Sequence, residues 1–125
     1  MLRILVATVR PEIMHPFSDA LSSDPKVRLQ HVVSGADALN AVRNVSPDLI
    51  IIDLDLPDFK PLDLVSQLLM VNAMVNTAVL SPLSEAEFHE ASEGLGILGR
   101  LPVKPGRGDA VDLLKKLRRV LGQTS

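Results

Sequence analysis

Short apolar runs alternate five times with helix-patterned segments along this chain, and few residues separate them. Leu2–Ala7 reads as a first strand and Glu12–Leu21 as the helix after it, with Pro11 acceptable in the first turn, where its missing N–H costs no intrahelical bond. Val27–Val33 suits a second strand, and Ser34 caps a helix to about Val42 whose Ala and Leu positions recur at helical spacing. Leu49–Ile52 is a run without alternation, as in strands covered on both faces, so a third strand closes over Ile50–Asp53. Pro61 opens a helix carrying Leu62, Val65, Leu68 and Leu69, and Thr77–Leu80 is a short fourth strand. Ser84 with Glu87 forms a capping-box pattern for the next helix, which Gly94 and Gly96 stop. Ile97–Val103 is the fifth strand, and Asp109–Leu121 a last helix with Val111, Leu114, Leu117 and Leu121 on one face. Strands separated by helices lie parallel, because parallel neighbours need crossovers, and these are nearly always right-handed. The expected architecture is therefore α/β: a doubly wound five-stranded parallel sheet with helices on both faces.

A chain of 125 residues fits one domain and can bury a real core; we place it at 1–121, with 122–125 as a tail or the start of a linker. No apolar run reaches the roughly 18 residues of a spanning helix, and the N-terminus lacks the pattern of a signal peptide, so a soluble cytoplasmic protein is expected. Zero cysteines exclude thiolate chemistry and disulfides. A net charge of −2 gives no field for gripping nucleic acid, and three Phe with no Tyr or Trp leave few stacking platforms for bases. His15, His31 and His89 fall on separate elements with no metal-ligand spacing. Lys115, Lys116, Arg118 and Arg119 suit the negative pole of the last helix and read as a solvated face.

In such a sheet the carboxyl ends of the strands are where ligands and chemistry collect. Strand ends one, three, four and five bring together Ala7 and Thr8, Asp53, Ser81 with Pro82, and Lys104 with Pro105. A carboxylate, a hydroxyl and an ammonium converge. Pro57 stiffens the loop after Asp53, within the segment PDLIIIDLDLPDF.

On these residues the chain resembles the receiver domains of two-component response regulators, which have a flavodoxin-like fold with strand order 2-1-3-4-5. The resemblance covers nearly the whole chain and implies the following roles. Asp53 takes the phosphoacceptor position, while Ser81 and Lys104 take the phosphoryl-binding positions. Leu101 stands at the position of the switch aromatic. The combination is chemically coherent, since Asp is a nucleophile and a hydroxyl and an ammonium stabilise charge on the incoming phosphoryl oxygens.

Departures from that pattern carry as much information. Receivers hold Mg²⁺ with an acidic pair after the first strand, and LRILVATVR offers Ala7 and Thr8 there. Pro61 replaces a family glycine, Pro82 a small residue, and Leu101 has no ring or polar tip to report a switch. Mg²⁺ neutralises charge during phosphoryl transfer, so without its ligands Asp53 is expected to accept phosphate poorly. No cofactor is expected, and Mg²⁺ binding is expected to be weak or absent. Asp55 lies on the same side as Asp53 if strand geometry persists and is a candidate substitute ligand. Arg10, in the loop after the first strand, or Lys104 is a candidate to pair with Asp53 in place of the ion.

The resulting expectation is an atypical receiver that is not an enzyme and transmits a signal by binding protein. The partner would be a histidine kinase, an effector domain or a downstream regulator; the alternative is a receiver that accepts a phosphoryl group on Asp53 from a histidine kinase. The resemblance places partner binding, and possible homodimer contacts, on the face around residues 83–121, with Phe88 in that region. Met70, Met74, Val71 and Val75 form an apolar end to the third helix, whose exposed share would be a docking patch. An acidic metal pair of the topoisomerase-primase type would need a Glu after the first strand, and none stands there. A nucleotide site would want glycines in the turn ATVRPE, which has none, and a cobalamin module would want a His after an Asp in its loop.

Overall fold

The computed structural model describes residues 1–122; of the tail expected over 122–125, only Gly122 falls within them. Five strands form one parallel sheet in the order β2-β1-β3-β4-β5. The strands are β1 Leu2–Ala7, β2 Val27–Val32, β3 Leu49–Ile52, β4 Asn76–Leu80 and β5 Gly99–Leu101, and the helices are α1 Pro11–Ser22, α2 Gly35–Asn44, α3 Pro61–Val71, α4 Glu85–Ala91 and α5 Arg107–Val120. The five-strand order and the double winding agree with the expectation from the sequence.

The unbroken apolar run of β3 has a simple cause. Leu49 and Ile51 face the core under α1 and α5, Ile50 and Ile52 face the core under α2, α3 and α4, and all are fully buried. Each such side chain contributes about 1.5–3 kcal/mol by leaving water. On one side Met14, Phe17 and Leu21 of α1 meet Ala110, Leu113, Leu114 and Leu117 of α5. On the other, Ala38, Leu39 and Val42 of α2 meet Leu64, Val65 and Leu68 of α3, with Phe88 of α4.

Local signals explain the helix ends. The Ser34 hydroxyl accepts from the Asp37 N–H and caps α2, while Ser84 and Glu87 complete a reciprocal capping box on α4. The loop after β3 is pinned to α2: the Asp58 carboxylate accepts from the N–H groups of Gly35 and Ala36 at 2.8 and 2.9 Å, and Phe59 lies where a side chain on Gly35 would stand.

Several details differ from the sequence reading. The core stripe of α5 is Ala110, Leu113, Leu114 and Leu117; Val111 and Leu121 are exposed, because a helical stripe drifts and Val111 falls on its flank. Arg118 is not solvated. Its guanidinium donates to Asp24 at 2.6 Å, tying α5 to the turn before β2, as Arg107 ties it to Asp19 on α1. β5 pairs over three residues only, shorter than the Ile97–Val103 run. Helix α4 ends at Ala91, before Gly94 and Gly96, which adopt left-handed conformations in the connection to β5. Pro16 sits inside α1, where it forfeits one intrahelical bond. No described helix is long and apolar enough to cross a membrane.

Candidate functional site

Register builds the site. Ala7 pairs with Ile52, so the next residues, Thr8 and Asp53, emerge side by side at the carboxyl ends of β1 and β3, with the Asp53 N–H donating to the Ala7 carbonyl. Asp53 is wholly buried, and Ala7 and Thr8 are buried beside it.

A buried carboxylate must be matched by donors, and here the match is complete. The Arg10 guanidinium grips it in a fork, Nη2 to Oδ1 at 2.5 Å and Nε to Oδ2 at 3.0 Å. The Leu54 N–H donates to Oδ1 and the Thr8 hydroxyl to Oδ2, each at 2.6 Å. Each oxygen thus accepts two hydrogen bonds, which fills the lone-pair sites of a carboxylate. Thr8 does double duty, its oxygen also accepting the Arg10 N–H at 2.9 Å, which folds the loop so that the guanidinium turns inward. Arg10 Nη2 further donates to the Val103 carbonyl at 3.0 Å, joining the end of β1 to the loop after β5. The hydrogen bond to Asp53 raises the pKa of Arg10 above its ordinary value, burial opposes this, and the charges of Asp53 and Asp55 add to it.

Of the two cations considered for pairing with Asp53, the geometry brings Arg10. Lys104 is exposed, and among the described residues it makes no ion pair; Pro105 beside it is buried. The Thr8 hydroxyl, by accepting the Arg10 N–H, folds the loop after β1 so that its guanidinium turns toward Asp53, whereas the Lys104 side chain stays in solvent. Asp55 does not continue the strand: β3 ends at Ile52, and Asp55 is exposed in the left-handed region at φ 61°. Its closeness to Asp53 in sequence therefore gives no strand-like shared side. Pro57 is exposed in the same loop.

Ser81 lies at the end of β4, nearly buried, its N–H donating to the Leu101 carbonyl and its hydroxyl accepting from the Leu83 N–H at 3.1 Å. Leu101 is part of the core under α5. Three participants escaped the sequence reading: the Leu54 N–H, the Val103 carbonyl and Arg100, whose guanidinium donates to the Ser81 carbonyl and lies 3.4 Å from Glu85. Backbone donors leave no residue-type signal. The Thr-x-Arg spacing of Thr8 and Arg10 was a usable one, because both can serve a carboxylate emerging from the next strand. Among the described residues no group of three or more His, Asp or Glu side chains is arranged to hold a metal ion.

No family model matches the chain. It is 32% identical over 99 residues to the protein-glutamate methylesterase/protein-glutamine glutaminase 1 of Methanospirillum hungatei, an alignment that takes in 77% of this chain and 29% of that protein. The response regulator domain of Thermotoga maritima CheB superposes with a TM-score of 0.79 at 19% identity, covering 100% of this chain and 99% of the other. The chemotaxis response regulator CheY4 of Vibrio cholerae gives 0.80 at 18% identity, covering 94% and 98%. The chain is a domain with the receiver fold of two-component response regulators.

Proposed function

We propose that this domain signals by docking to other proteins, with Asp53 withheld from Mg²⁺-dependent phosphoryl transfer by its pair with Arg10. Acceptance of a phosphoryl group requires a carboxylate oxygen to present a free lone pair to phosphorus, and a divalent cation to offset the charge that develops. The observation that carries the proposal is the fourfold donation to Asp53 by Arg10, Thr8 and Leu54. A fixed guanidinium already supplies the positive charge beside the carboxylate, and Ala7 and Thr8 supply no carboxylate to recruit a metal. Ser81 and Lys104 keep the phosphoryl-binding positions and Leu101 the switch position, without a phosphoryl group to serve. The partner is a protein: a histidine kinase, an effector domain or a downstream regulator. The face around residues 83–121 is the proposed homodimer surface, and its exposed Leu83 and Val111 support that reading.

The methylesterase relative is the longer protein, and its activity is not carried over to a chain spanning 29% of it. The test is incubation with Mg²⁺ and acetyl phosphate, or with beryllofluoride, followed by intact-mass and ¹⁹F NMR measurement. The expected result is no adduct on Asp53. An adduct forming at the rate of an ordinary receiver defeats the proposal and favours the phosphorylatable alternative.

A further inference from the structure

The opposite pole of the sheet, where the strands begin, carries a feature that the Asp53 site does not use. Arg3 of β1 and Arg28 of β2 are register partners, so their side chains leave the same face of adjacent strands. With Gln30, Leu5, Ala41, Val45 and Pro47 they line a cleft of about 160 Å³ between the edge strand β2 and the end of α2. Like charges placed side by side on neighbouring strands are unfavourable, and neither guanidinium has an ion pair among the described residues. The nearby Asp48 carboxylate is engaged by the Arg3 main-chain N–H at 2.8 Å.

A second observation adjoins the first. Val45 on the cleft wall is 58% exposed, and Met70 and Met74 are 81% and 84% exposed at the end of α3 and in the loop after it. Asn72 joins the two areas, its amide donating to the Ser46 hydroxyl at 2.8 Å and its carbonyl oxygen accepting from the Met74 N–H at 2.9 Å. A cationic cleft is thus bordered by an adaptable apolar shelf. The cleft is well below the roughly 300–1,000 Å³ of small-molecule sites; it suits one acidic side chain, with the remainder of the ligand lying over the shelf.

From this charge and shape complementarity, we propose that this pole docks a partner segment in which a glutamate or aspartate flanked by apolar residues seats its carboxylate between Arg3 and Arg28. Guanidinium groups suit this task because their planar donors match a carboxylate in pairs. The proposal rests on the docking reading above and specifies the chemistry of one partner.

The test is an amide NMR titration of the full chain with the capped peptide Leu-Ser-Glu-Leu-Leu and its Gln analogue. The expected result is shifts centred on Arg3, Arg28, Gln30, Val45 and Met74, with on the order of tenfold weaker binding for the Gln peptide, the loss of a charge-assisted contact. The Arg3→Gln/Arg28→Gln variant should lose the response to the same extent, and Met74→Ser should weaken it. Equal binding of both peptides, or shifts that ignore the arginines, overturns the proposal. Shifts reproduced by sodium succinate or inorganic phosphate alone assign the cleft to a free small anion and overturn it equally. A beryllofluoride adduct on Asp53 with an intact titration defeats only the reading of the Asp53 site, whereas an absent titration without an adduct defeats only this proposal.

Discussion

Replacing Arg10 with Ala is the sharpest probe of how the site is held. The substitution removes two of the four hydrogen bonds to a fully buried carboxylate and leaves those from Thr8 and Leu54. Breaking a buried ion pair from one side costs about 3–5 kcal/mol, because the remaining charge is stranded. Arg10 is 19% exposed, so water can follow the vacated guanidinium; with two donors retained, we expect about 2–4 kcal/mol. For a domain of this size that corresponds to a fall in Tm of about 10 °C. Urea unfolding at pH 7 measures it directly. The same substitution in an Asp53→Asn background should cost less than about 1 kcal/mol, since no anion is then stranded, and the double-mutant cycle isolates the coupling. Equal costs in the two backgrounds would show that Arg10 acts through Val103 or through loop packing alone, and the lock would have no electrostatic basis.

Thr8→Val keeps the shape of the side chain but removes a donor to Asp53 and an acceptor for the Arg10 N–H; a loss of about 1–3 kcal/mol is expected in the same unfolding assay. Gly35→Ala should destabilise by about 1–3 kcal/mol although Ala favours helices, because the added Cβ would lie 2.3 Å from Phe59 Cδ2 and must displace the ring; differential scanning calorimetry checks the sign. Acid should lower the stability of the domain modestly, in part through three largely solvent-facing carboxyls whose pKa values lie below their ordinary range: Asp24 through the hydrogen bond from Arg118, Asp58 through the Gly35 and Ala36 N–H groups, and Glu87 through the Ser84 N–H. Folding lowers each value, so the folded state holds fewer protons, and the contribution is complete above about pH 5 and is lost as pH falls through about 4 and below. Arg118→Gln should flatten the Asp24 share of that loss in a pH series of Tm values.

Much of the site was legible because it depends on residue types at strand ends. A buried four-residue strand followed by Asp places a carboxylate at the functional edge, and the same logic located Ser81 and the two candidate cations. The choice between those cations was not legible. Both Arg10 and Lys104 lie just beyond a strand, and only the folded loops show the Thr8 hydroxyl holding the Arg10 N–H so that its guanidinium meets Asp53, while Lys104 is left exposed. The substitute-ligand idea for Asp55 assumed that strand alternation continued, and the left-handed turn at Asp55 ended it. The apolar end of α3 was ambiguous for a different reason. A run such as Met70, Val71, Met74 and Val75 fits either a core or a surface patch, and burial resolved Val75 into the core while leaving the methionines out.

Hydrophobic period, caps and turn residues act over a few neighbouring positions, and they suffice to specify the alternation of elements, the parallel sheet and the aspartate at its edge. What that aspartate faces, and which apolar and basic side chains stay in solvent, is set by how the elements pack together. Those outcomes depend on strand order and register between segments some 45 residues apart, such as Thr8 and Asp53, and no local pattern encodes that distance.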